Sequence, residues 1–70
     1  MTNTTKRIYG VSSTYDFGRW SHVVHVFDDP AAADKWLHTE TYQFAERELM
    51  SKTAAVRLAG RAAVRNAVEH

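Results

Sequence analysis

The chain is expected to fold as α+β, an antiparallel β-hairpin followed by a long or broken C-terminal α-helix, in the order ββα. Three observations predict this. Residues 6–27 are rich in β-branched and aromatic side chains, which suit a pleated surface. Residues 30–69 read as helix, with Gly60 as their one glycine. Between the two halves stands Asp28-Asp29-Pro30. A carboxylate at Asp29 caps the free N–H groups of a new helix, and proline suits the first helical position.

Within the first half, Lys6 to Thr14 reads as a strand carried by Ile8, Tyr9 and Val11, with Gly10 a weak or bulged point. Tyr15-Asp16-Phe17-Gly18-Arg19 reads as the turn. Trp20 to Phe27 is the stronger strand, and apolar groups fall on both of its faces. The strands of this 6–27 hairpin could be completed by those of a partner.

The second half reads as one helix or two, with breaks near residues 38–41 and 60. Ala33, Trp36 and Leu37 are the inward candidates of its first two turns, and Thr39 is a candidate cap for a second helix. From residue 40 onward Tyr42, Leu49, Val56 and Ala63 recur every seven residues, so a continuous helix keeps them on one side. A helix over 40–69 would run about 45 Å, whereas a seven-residue strand covers about 23 Å. That excess length predicts a homo-oligomer, most simply a two-fold dimer, with those four residues as its seam.

Seventy residues make one small domain, 1–70, and the chain has no cysteine to staple it. At 44% hydrophobic and 24% charged, it is expected to fold rather than stay disordered. No apolar run reaches the roughly 20 residues of a membrane span, and the polar start is no signal peptide. A cytoplasmic location is the expectation.

Net charge is +1, but its distribution is uneven. Residues 1–26 sum to +2, residues 27–49 to −4 and residues 50–70 to +3. The acidic-then-basic order of the second half suits a helix dipole at both ends. It also lines up Arg57, Arg61 and Arg65 at spacings of four. Such a row can meet phosphates or the carboxylates of another protein, or it is simply a solvated face.

Tyr15, Phe17 and Trp20 gather with Arg19 around the turn. Aromatic residues and arginine concentrate binding energy, because they bury large area at modest entropy cost. Alternatively, Trp20 is core and the other two cover a sheet edge. His22 and His25 lie three apart on a strand and so face opposite ways, which is no metal pair. Asp28, Asp29 and Asp34 are read as helix-start charges rather than cation ligands. No cofactor is called for: the three glycines are scattered, and no nucleophile–histidine–acid arrangement can be assembled.

Val26-Phe27-Asp28-Asp29-Pro30, Ala33, Trp36-Leu37 and Arg47-Glu48-Leu49-Met50-Ser51 resemble small accessory proteins of phages and other mobile elements, a group that includes anti-CRISPR and similar anti-defence inhibitors. The resemblance covers residues 26–51. It implies a protein that works without catalysis, by occupying a surface a host complex needs. The function expected is thus a non-enzymatic protein-binding module, an inhibitor of a host defence complex under the resemblance. Its contact residues would be Arg57, Arg61, Arg65, Tyr15, Phe17, Arg19 and Trp20. The alternative is nucleic-acid binding, with the arginines on phosphates and the aromatic turn stacking on bases. An isoelectric point near 8.2 with an acidic middle segment favours the protein partner.

Overall fold

Two nine-residue strands joined by a two-residue turn begin the fold. The computed structural model describes residues 7–39 and 45–70. In it β1 (Ile8–Asp16) pairs antiparallel with β2 (Arg19–Phe27), in register from Ile8↔Phe27 to Asp16↔Arg19. The hairpin therefore stands where the sequence places it, and its turn is tighter than the five residues expected. Its neighbours are strands of its own chain. β3 (Ala45–Met50) runs antiparallel beside β1, and the two-residue β4 (Val68–Glu69) runs parallel beside β2, giving the order β3-β1-β2-β4. The class is α+β as expected; the ββα order with a long C-terminal helix is not what forms.

Among the described residues three short helices replace that long one: α1 (Pro30–His38), α2 (Lys52–Ala59) and α3 (Arg61–Arg65). Asp29 caps α1 as read, its Oδ1 accepting from the Ala31 N–H at 3.1 Å, with proline opening the helix. Helix ends fall near both positions where a break was one of the alternatives. The first ends α1 at His38, but Thr39 closes this helix rather than starting another, donating its hydroxyl to the Lys35 carbonyl at 2.7 Å. The second is Gly60, whose φ of 96° separates α2 from α3. Left-handed backbone of this kind is costly for any residue with a Cβ.

Ala45–Met50 was expected to be helical and is a strand. Its pattern has period two: Glu46 and Glu48 are exposed while Arg47, Leu49 and Met50 are half-buried. β1 needs a hydrogen-bonding neighbour on each side, and β3 supplies the second over Tyr9–Thr14. That pairing overrides the helix propensity of Ala, Glu, Leu and Met. The seven-residue seam falls with the long helix. Leu49 packs beneath α1, Ala63 packs on the other face of the sheet, and Val56 sits on α2. Tyr42 lies outside the described residues.

Register assigns the two faces of the sheet. One carries Tyr9, Val11, Ser13 and Tyr15 beside Val26, Val24, His22 and Trp20, with Met50, Glu48 and Glu46 completing it. Its apolar half, Tyr9, Val11, Val24 and Val26, is covered by Ala55 of α2, with Ala59, Ala63, Val64 and Ala67 packed around. The opposite face carries Phe27 against Ala33 and Trp36 of α1, flanked by Ile8, Leu37 and Leu49. Among the described residues, helices thus pack on both faces of the sheet at one end and leave the hairpin end largely uncovered. No helix among the described residues is long and apolar enough to cross a membrane.

β4 is fastened by several contacts. The His70 N–H donates to the Val26 carbonyl at 3.0 Å. His70 stacks on Phe27 with ring centres 4.3 Å apart, and its Nε2 lies 2.8 Å from His25 Nδ1. Arg7 reaches Asp28 at 3.7 Å and Glu69 at 3.2 Å. A single proton serves the His25–His70 bond; protonating both rings removes its acceptor. Burial, then His70, then Arg47 holds His25 below the ordinary imidazole value of 6.5.

Two predictions follow from this packing. Gly10 is a regular ladder residue rather than a bulge, pairing with His25 and Leu49. A Cβ there would meet the Trp36 ring at 2.5 Å and 2.8 Å. Gly10→Ala should destabilise by about 1–3 kcal/mol through displacement of that ring, read from the denaturant midpoint. As for pH, the unfolded chain protonates His25 near 6.5 while the folded chain resists until lower pH. Stability from this group is therefore complete above 6.5 and falls as pH drops from there through the folded value. Melts at about pH 7.5 and about pH 5.5 should show a smaller acid loss in His25→Gln than in the parent.

Candidate functional site

The β1–β2 turn brings the predicted aromatic residues together. Phe17 and Gly18 are its two central residues, with φ values of 51° and 80°. Positive φ at both positions matches the mirror-image turns whose twist fits a hairpin. Glycine, which lacks a Cβ, or asparagine, whose short polar side chain hydrogen-bonds locally, normally stands first in such a turn, because left-handed backbone costs other residues roughly 1–2 kcal/mol. Here the position holds phenylalanine, and its ring is 95% exposed. The strain thus presents a large apolar group to water, gaining nothing from burial.

Behind the tip, Tyr15 and Trp20 face each other across the strands with ring centres 5.2 Å apart at 59°. Both are about half exposed, at 46% and 49%. Arg19 is exposed beside them. The alternative in which Trp20 belongs to the core is therefore corrected: the core ends at Val11 and Val24, one cross-strand pair before Ser13 and His22.

A groove of about 340 Å³ runs from Trp20 over the bare end of the sheet, lined by Ser13, His22, Glu46, Glu48 and Leu58. The Ser13 hydroxyl is hydrogen-bonded to His22 Nδ1 at 2.6 Å. Register puts Ser13 between Glu46 and His22, so neither neighbouring strand sets a carboxylate behind the imidazole to orient it as a base. What the groove offers is an acidic surface with an indole face and a leucine. Sequence reasoning missed its two glutamates, although Glu46-Arg47-Glu48 is a period-two signal that marks them as one face of a strand.

The arginine row is broken by the fold. Arg57 lies on α2 and Arg61 and Arg65 on α3, with Gly60 between. Arg61 and Arg65 instead share a second groove, of about 390 Å³, with Lys52, Val56 and Val64. Arg57 is exposed and lines neither groove. Lys52 was not picked out as a site residue, since it joins the arginines only because α3 folds back along α2. No ion pair among the described residues engages any of these four cations.

His22 and His25 face opposite sides, as expected, the first in the acidic groove and the second against Trp36 and His70. The outer edge of β2 is paired by β4 only at His25 and Val26. From Arg19 to Val24 no described strand lies beside it. Comparison of the chain with protein-family models, with curated proteins and with solved structures finds no match to any of them.

The turn makes stability and exposure separable. Phe17→Asn should stabilise the fold by about 1 kcal/mol, because asparagine tolerates left-handed backbone and the ring loses no burial. Chemical denaturation measures this directly. A destabilised Phe17→Asn would mean that the ring packs against the molecule in solution.

Proposed function

We propose that this chain is a non-enzymatic protein-binding module whose contact surface is the hairpin end. The observation that carries the reading is Phe17, a nearly fully exposed aromatic ring held in left-handed backbone. Strained positions persist where the surrounding structure enforces them, and they cluster at sites of function. Aromatic side chains on a rigid hairpin suit a hot spot, since little conformational freedom is lost when they are buried. Tyr15, Trp20 and Arg19 extend the surface, and the open edge of β2 adds main-chain donors and acceptors beside it.

Inhibition of a host defence complex is the form this binding takes under the resemblance to mobile-element accessory proteins. A projecting hairpin that occupies a partner's surface requires no chemistry of its own. Nucleic-acid binding is the weaker alternative for a specific reason. Trp20, one of the rings that would stack on a base, shares its groove with Glu46 and Glu48, whose charges repel a phosphate backbone.

Affinity capture from the source cell tests the proposal. Parent protein and Phe17→Asp are used as paired baits, with mass spectrometry of what each retains. A partner held by the parent should be lost by the variant, since truncating a hot-spot ring costs about 2 kcal/mol or more and an added charge costs further. The variant should melt at least as high as the parent, since aspartate, like asparagine, tolerates left-handed backbone. Identical retention by both would overturn the hairpin end as the contact surface.

A further inference from the structure

We infer that the groove between α2 and α3 is a second binding site, for an acidic protein segment that carries an apolar side chain between carboxylates. It lies apart from the hairpin end: among the described residues the two grooves share none of their lining. Its floor is Val56 and Val64, and its charged walls are Lys52, Arg61 and Arg65. All three cations are exposed, and no ion pair among the described residues satisfies them. Three like charges around an apolar floor repel one another, so folding by itself gains nothing from gathering them.

The position of Lys52 supports the same inference independently. It is the first residue of α2, immediately after the cap Ser51. The start of a helix bears partial positive charge and favours Asp or Glu, yet the first turn of α2 holds no acidic residue. A lysine here opposes helix stability, and such a conflict between local preference and fold is expected where a residue serves binding. An anion in the groove resolves it.

The chemistry of the groove selects carboxylates on a peptide rather than phosphates on a nucleic acid. Two valines ask for an apolar group seated between the charges, which a sugar–phosphate backbone does not present. Among the described residues no aromatic side chain lines this groove to stack on a base. Guanidinium groups pair with carboxylates bidentately, and a leucine-sized side chain can reach the floor between two such pairs.

Fluorescence anisotropy with a labelled peptide Glu-Leu-Glu-Glu-Leu-Glu tests the site on the full chain. The peptide should bind saturably below about 1 mM, and the affinity should weaken as salt rises. Lys52→Glu should lower it roughly tenfold, with a melt at least as high as the parent because the first turn of α2 gains its preferred charge. Arg61→Glu combined with Arg65→Glu should lower it at least as much. A peptide with serine in place of both leucines should bind several-fold more weakly, whereas Phe17→Asp should bind the original peptide like the parent. Absence of saturable binding, equal affinity in Lys52→Glu, or equal affinity for the serine peptide would each overturn the inference. Tighter binding of a single-stranded oligonucleotide of equal charge would overturn it in favour of a nucleic-acid site. None of these outcomes bears on the hairpin contact, which Phe17→Asp tests separately.

Discussion

Trp36 lies across Gly10, and the rest of the small fold is arranged around that contact. The indole comes so near the backbone of the central strand that a single added carbon would overlap it. Phe27 and His25 of β2 meet the ring at 5.3 Å and 5.0 Å. From β3, the Arg47 guanidinium stands 4.8 Å from the ring centre and donates through Nη1 to the Trp36 carbonyl at 2.6 Å. One side chain of α1 thereby touches all three long strands. His25 passes the contact on to His70, which pins β4. For a chain without disulfides, such a shared contact matters because each core cluster is small: among the described residues, three are buried on this face and five on the other. Stability of a few kcal/mol leaves little margin for losing one of them.

That packing is confined to one end, and the confinement is what creates a surface. Beyond Val11 and Val24 the cross-strand pairs on that face turn polar or aromatic, and among the described helical residues only Leu58 of α2 lines the groove over them. The hairpin continues for several residues past its own core. A hairpin selected only for stability would end in a relaxed turn such as Asn-Gly; this one ends in a strained, exposed phenylalanine. The charges divide in the same spirit. Acidic residues of β3 line the groove near the tip, while basic residues of α2 and α3 line the other. Two surfaces of opposite sign would suit neighbours of opposite charge under the binding proposed for each.

Local chemistry made part of this legible in the sequence. The hairpin followed from β-branched and aromatic residues flanking a glycine turn. The start of α1 followed from Asp29-Pro30, and the interruption of the helical half from Gly60. Those features are decided within a few residues of themselves, by caps, fixed dihedrals and side-chain alternation, so the chain carries them without reference to distant contacts. The two-sided apolar pattern of Trp20–Phe27 likewise matches a strand covered by helices on both faces. Of the candidate site, the aromatic group around Phe17 could be named for the same reason: a two-residue turn holds its neighbours together whatever the rest of the chain does.

Tertiary structure alone decided the remainder. Ala45–Met50 has good helix formers, and only the open side of β1 made it a strand, because an unpaired backbone costs more than the modest propensity difference among Ala, Glu, Leu and Met. With that strand inserted, the seven-residue spacing of Leu49, Val56 and Ala63 lost its meaning, since periodicity places residues on one side only while the helix is continuous. The arginine row met the same fate at Gly60, and Lys52 took the place of Arg57 beside Arg61 and Arg65 once α3 turned back along α2. Whether Phe17 would be core or surface was likewise beyond the sequence. A phenylalanine reads the same in either setting, and its exposure depends on how far the hairpin outruns the helices that cover it.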